Sequence, residues 1–253
     1  GEHRFGSQWG LRAGAGWDHS ATPESGDKGQ ADGFDSPALN IRLSRQLGRR
    51  SELYVSASRR SRFPSLRELY SGALGKFVPN GDLLPERQDL FELGVTAQSS
   101  GWHFTGAAFL QYLKNGIEKE SIPNSNQQFM RVNRTEIRVP GVEMTGAWRL
   151  TPNFEITGQH TIMAARVEED GSFDHPAEDR PDYLSHLGIN WQASSGPRAL
   201  VEAVLTGPRW SAGSDDLVRL SAGVHWNMRF SWRWGFGSDE KAPGTEWESQ
   251  SHS

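Results

Sequence analysis

The sequence predicts an all-β fold: an antiparallel, up-and-down transmembrane β-barrel. Three observations carry this. Apolar and polar residues alternate with period two in about ten segments. The connections between those segments run long, short, long, short along the whole chain, as in barrels with long loops on one side of a membrane and short turns on the other. Mean hydropathy is only -0.64, and no run approaches the roughly 18 apolar residues of a membrane-spanning helix. A barrel strand escapes that requirement, because only alternate residues of about 10 meet lipid. A soluble barrel or β-sandwich is the competing architecture, but it has no reason to keep connection lengths in such strict alternation.

In chain order, the first strand covers residues 8–18. It puts Trp9, Leu11, Ala13, Ala15 and Trp17 on one face, with Trp at both ends as in an aromatic girdle. A polar loop, 19–36, follows. The second strand, 37–47, aligns Leu39, Ile41, Leu43 and Leu47; Arg45 interrupts this face where a long cation can reach polar surroundings. After a turn at 48–50, the third strand, 52–61, sets Leu53, Val55 and Ala57 opposite Tyr54, Ser56 and Ser58. Residues 62–94 carry Pro64, Pro79, Asn80-Gly81 and Pro85, too many breakers for a helix or strand to continue through. They read as a long structured loop that enters a fourth strand, 90–98.

The fifth strand, 102–115, follows the Ser99-Ser100-Gly101 turn and leads to a long loop at 116–127. The sixth, 128–150, is expected to bend or bulge at Pro140-Gly141. The seventh starts at Phe154 and reaches Ala164. A long acidic loop, 168–181, precedes the eighth strand, which holds Tyr183, Leu187, Ile189 and Trp191. The ninth is 199–205, and after the loop 207–216 the tenth is 218–230. Residues 1–230 therefore form the barrel portion, and 231–253 a poorly specified tail.

Composition narrows the function. Against 27 basic residues stand 31 acidic ones, a net charge of -4, which argues against a dedicated nucleic-acid binder. With no cysteine there is no disulfide framework, Cys-zinc site or thiol nucleophile. No HExxH, P-loop or GxSxG motif is present, so no catalytic residue is assigned and the chain is read as a non-enzyme. His19 and His175 lie in loops near acids, but solvation explains them better than a metal, and no metal or cofactor is assigned. Arg62, Tyr70, Phe77, Arg131, Arg134, Arg180 and Trp210 mix cations with aromatics near the long-loop side. Such groups suit a large anionic or aromatic ligand. The alternative for each arginine is an ion pair with a neighbouring carboxylate.

Four motifs in order add a resemblance. Arg62-Phe63-Pro64-Ser65-Leu66-Arg67-Glu68-Leu69-Tyr70 is followed by Asn80 to Leu83, Pro85, Glu86, Glu92, Leu93 and Gly94. Next come Val132-Asn133, Gly141-Val142-Glu143 and Trp148 through Asn153, and finally Arg180-Pro181. Together these resemble the barrel signature of TonB-dependent outer-membrane receptors, clearly over residues 53–192. The resemblance implies structural roles for Phe63, Pro64, Glu68, Pro85, Glu86, Glu92, Gly94, Asn133, Gly141 and Glu143. It implies a bacterial outer-membrane location with lipid around the barrel, and active uptake of a scarce nutrient, most often a ferric siderophore, else a cobalamin or glycan. Energy would come from TonB through a plug domain. Such barrels have roughly 22 strands and a plugged lumen. The chain is thus expected to be the C-terminal part of the barrel, without the plug and the final strand or two. A small passive pore or adhesin, and a secreted β-sandwich binding module, are the alternatives.

Overall fold

The computed structural model describes residues 1–6, 8–22, 31–72, 75–123, 128–212 and 217–232. The expected tail beyond Trp232, and the tips of several expected loops, lie outside these residues.

The strands are β1 (Glu2–Phe5), β2 (Trp9–Thr22), β3 (Ala31–Gln46), β4 (Ser51–Arg62), β5 (Phe77–Val78), β6 (Glu86–Gln98), β7 (Trp102–Ser121) and β8 (Phe129–Thr151). They continue as β9 (Phe154–Met163), β10 (Arg166–Glu169), β11 (Ser172–Pro176), β12 (Tyr183–Gln192), β13 (Arg198–Thr206), β14 (Arg209–Ala212), β15 (Leu217–Leu220) and β16 (Gly223–Ser231). A short α-helix, α1 (Leu66–Tyr70), lies between β4 and β5. Among the described residues no helix is long and apolar enough to cross a membrane.

Fourteen strands form one sheet, in the order β1-β2-β3-β4-β6-β7-β8-β9-β12-β13-β16, with β10, β11 and β5 attached beside β8. Every neighbouring pair on this path is antiparallel. This is the up-and-down meander that the alternation predicts. The register holds the apolar positions in cross-strand rows: Ala13, Ile41, Ala57, Phe91, Leu110 and Pro140 lie opposite one another across six strands. That face is bare. Trp148 is 56% exposed and Met228 76%, a pattern that water would not tolerate and lipid would.

Aromatics border the band. Trp102 and Trp148 face each other beside the short turns, as do Trp191 and Phe154. Trp17 and Tyr183 lie towards the long-loop ends of their strands, and Tyr112 midway along the longer β7. Ten residues separate Trp102 from Tyr112 on β7, which at barrel tilt gives a band about 25 Å high. Arg45, which interrupts the apolar face, lays its guanidinium over Trp9 at 5.4 Å.

The opposite face is polar and tightly organised. Ser56 donates to Glu92 at 2.7 Å, Gln159 to Glu143 at 2.9 Å, and His186 lies 3.1 Å from Glu202. The Tyr54 ring lies flat on Gly94, under the Arg42 guanidinium at 3.5 Å; a Cβ at Gly94 would collide with the ring. Gly141 gives Phe109 the same room.

Several expectations change. The tenth strand is two: β15 pairs with β14 as a separate hairpin, and only β16 joins the sheet, against β13. Period two registers extension but not which strand is the partner. The first half of the loop expected at 116–127 is strand, since β7 runs to Ser121. The acidic loop holds the β10–β11 hairpin, closed by Asp170 and Gly171, both with positive φ, a type I′ turn. The 62–94 loop contains α1. Finally, β8 does not bulge at Pro140, because its register with β7 is unbroken there. Instead β9 ends at Met163, and above Pro140 the neighbour of β8 becomes β10. The amide that proline lacks thus falls at a change of partner, where Ala164 still donates to the Pro140 carbonyl at 3.0 Å.

Candidate functional site

The long-loop end of the sheet is built on the β7–β8 ribbon, which rises beyond the lipid band. Asn115 has φ 54, in the left-handed region. Strict alternation would put residues 113 and 116 on opposite faces. Yet a Cβ on Gly116 would lie 2.8 Å from Ile137 and 3.2 Å from Leu113, so both positions share one face. One left-handed residue therefore inverts the pleat, and Asn tolerates that conformation better than most residues. Below the inversion Leu113, Ile137, Val139, Ala165, Val167 and Ala177 form the larger buried cluster, with Ile137 fully enclosed.

The segment between β4 and β6 is anchored to this ribbon. Ser65 caps α1, with Glu68 completing a capping box. The Glu68 carboxylate accepts from Ser65 N and Oγ, both at 2.8 Å, and from the two terminal nitrogens of Arg62 at 2.8 and 3.2 Å. Burial opposes its charge, but Arg62 and Ser65 outweigh it and hold the carboxyl down at about 2. Arg62 also donates from Nε to Glu86 at 2.5 Å, and the other Glu86 oxygen accepts the Ile117 amide at 2.7 Å. Asn133 imitates a peptide group: it accepts from Leu84 N at 2.8 Å and donates to Leu84 O and Asn115 O at 3.0 and 2.7 Å. Pro85 offers its carbonyl to Asn115. Leu69 and Leu83 are buried beneath, with Tyr70 and Ile117 packed on them.

The candidate ligand residues fall into separate groups. Phe77 and Arg131 come together: β5 runs parallel to the tip of β8, and the Arg131 guanidinium sits 4.7 Å over the Phe77 ring. Phe129 lies 5.8 Å from Phe77, and the Lys119 ammonium is 4.8 Å over Phe129. Two cations on two rings thus form one platform. Phe129 and Lys119 were not singled out from sequence; the Phe129-x-Arg131 alternation was the available signal. Arg134 and Arg180 both act on Glu118, with Arg134 Nε 3.5 Å from its carboxylate. Arg62 is engaged by Glu68 and Glu86 as described. Tyr70 is half-buried beside Leu69. Trp210, on β14, has Arg219 over its ring at 5.6 Å. Phe63 and Pro64 lead from β4 into the α1 cap and are partly buried.

Metal ligands are not clustered: among the described residues no group of three or more His, Asp or Glu could hold an ion. His19 is 2.9 Å from Asp35, which also accepts from the Trp17 indole at 3.1 Å; His175 is 3.4 Å from Glu169.

The comparisons with known proteins agree with this architecture. The family model for the TonB dependent receptor-like beta-barrel matches residues 1–243. No curated protein sequence matches. Among solved structures, the copper transporter OprC superposes with a TM-score of 0.67 at 14% identity, over 91% of this chain and 38% of that one. The ferric yersiniabactin uptake receptor FyuA from Yersinia pestis gives 0.66 at 15%, over 91% and 36%. The ferric enterobactin receptor PfeA of Pseudomonas aeruginosa, as its G324V mutant, gives 0.62 at 19%, over 90% and 35%. The chain spans less than two fifths of these relatives. A bare apolar band, a polar opposite face, a meander with long and short connections and the family match lead to one conclusion: this chain belongs to the TonB-dependent receptor family and forms part of its β-barrel.

Proposed function

We propose that the intact receptor carrying this chain works in the bacterial outer membrane. It takes up a scarce nutrient delivered as an anionic metal chelate, a ferric siderophore first, with energy from TonB through a plug domain. The observation that supports this reading is the platform of Phe77, Phe129, Arg131 and Lys119 at the tip of the β7–β8 ribbon. Aromatic faces stack on flat conjugated ligands, and cations neutralise a chelate's excess negative charge. Arg131 and Lys119 pair across the ribbon, so both charges are presented together.

Binding is tested by fluorescence quenching of the purified receptor with ferric catecholate and ferric hydroxamate siderophores. Uptake is tested with radioactive iron in iron-starved cells, with and without the intact gene. Replacing Arg131 by Gln and Phe77 by Ala together is expected to weaken chelate binding about a hundredfold, roughly tenfold for each lost contact. Unchanged affinity in the double variant would remove the platform from the site. Unchanged uptake of every chelate on deleting the gene would refute the iron reading.

A further inference from the structure

On the lipid-facing side, the register brings a row of charged side chains to the long-loop edge of the apolar band. Arg59, Asp89, Tyr112, Arg138 and Arg166 lie directly opposite one another across β4, β6, β7, β8 and β10. The adjacent row below is apolar: Ala57, Phe91, Leu110 and Pro140. Arg138 and Arg166 belong to the outer face because their neighbours Ile137, Val139, Ala165 and Val167 are buried in the cluster on the other face.

The ion pairs in this belt leave two of its cations over. Arg59 holds Asp89 through two hydrogen bonds, at 2.5 and 3.1 Å, and Arg87 shares the same carboxylate at 3.5 Å. Lys114 has Glu136 at 3.2 Å. Arg138 and Arg166 have no ion pair with a carboxylate among the described residues. Arg166 donates only to the neighbouring Ala165 carbonyl, at 3.1 Å, and Arg138 is exposed. Two like charges directly opposed on neighbouring strands are destabilising unless an anion joins them. Guanidinium pairs favour phosphate, which they grip bidentately.

The geometry points to the phosphorylated headgroup of an outer-leaflet glycolipid, held between Arg138 and Arg166 with its acyl chains lying on the apolar row below. The position selects a lipid over a soluble anion, because the phosphate-binding pair and the acyl-binding surface are consecutive rows of one face. Tyr112, between Asp89 and Arg138 in the row, marks the polar edge where such a headgroup sits. This inference rests on that face meeting the membrane and is independent of the nutrient.

The test uses the intact receptor in phosphatidylcholine nanodiscs doped with bis-phosphorylated lipid A or with the same lipid A stripped of its phosphates. The wild type is expected to retain the phosphorylated form about tenfold more tightly, by native mass spectrometry. R138Q/R166Q is expected to lose that preference, whereas R49Q, in a short turn at the other end, keeps it. In phosphatidylcholine alone the double variant should melt no lower than wild type, since its like-charge repulsion is gone; this shows that it folds. Equal retention of both lipid A forms by the wild type, or an undiminished preference in the double variant, overturns the inference. Displacement by millimolar inorganic phosphate would equally overturn it, by showing a soluble-anion site. Failure of the receptor to insert at all would instead refute the membrane reading.

Discussion

Neutralising Glu68 should loosen one segment and leave the barrel intact. Its carboxylate accepts four hydrogen bonds, two from Arg62 and two from Ser65. In E68Q the shape remains, but the ion pair and half of the capping box weaken. A partly exposed ion pair contributes about 1 kcal/mol, and a helix cap about 1 kcal/mol. Their sum, about 2 kcal/mol, raises local opening about thirtyfold. The amides of 66–71 should therefore exchange about thirtyfold faster in hydrogen exchange on detergent-solubilised receptor, with β6 and β7 unchanged. The pH dependence has a defined sign. The folded carboxyl titrates at about 2, below its ordinary 4.5. The stabilisation is thus complete above pH 4.5 and is lost as pH falls from there towards 2. E68Q should show no such dependence in that window. Unchanged protection of 66–71, or a uniform loss over the whole barrel, would refute the reasoning.

Two further substitutions probe the wall. G94A should destabilise by about 2 kcal/mol through its clash with the Tyr54 ring; Y54A should cancel much of that in the double variant, and additive losses in urea unfolding would deny the contact. At Asn115, replacement by Gly should be nearly neutral, while Val should cost about 2 kcal/mol because φ 54 suits no β-branched residue. Equal melting temperatures for the two variants would show that the pleat inversion carries no strain.

The spanning part of the fold is legible in the sequence because lipid imposes a strict rule on it. Leu53, Val55 and Ala57, or Leu187 and Ile189, alternate without exception, and their register follows from keeping those residues on one side. Two local features were equally present but carried less weight than the breakers around them. Ser65-x-x-Glu68 spells a capping box and Asp170-Gly171 a type I′ turn, and both form. The candidate site is only partly legible. Arg131 and Phe77 are separated by more than fifty positions and meet because Asn133 and Asn80 tie the intervening loop to β8. No window of sequence contains that pairing. The pleat inversion is hidden for a different reason: residues 116–121 have no apolar alternation from which a change of phase can be read.

The rise of β7 and β8 above the band also bears on how tightly anything can be held at their tips. Residues 116–121 and 129–134 are already fixed in a hydrogen-bonded ribbon. Ordering a free backbone costs about 1 kcal/mol per residue, so a floppy loop of that length would surrender on the order of 10 kcal/mol to immobilisation when a ligand arrived. A stalk that is stiff before the encounter keeps most of that energy in the contact itself. Modest forces, such as stacking on Phe77 and Phe129, are then enough to capture a dilute solute.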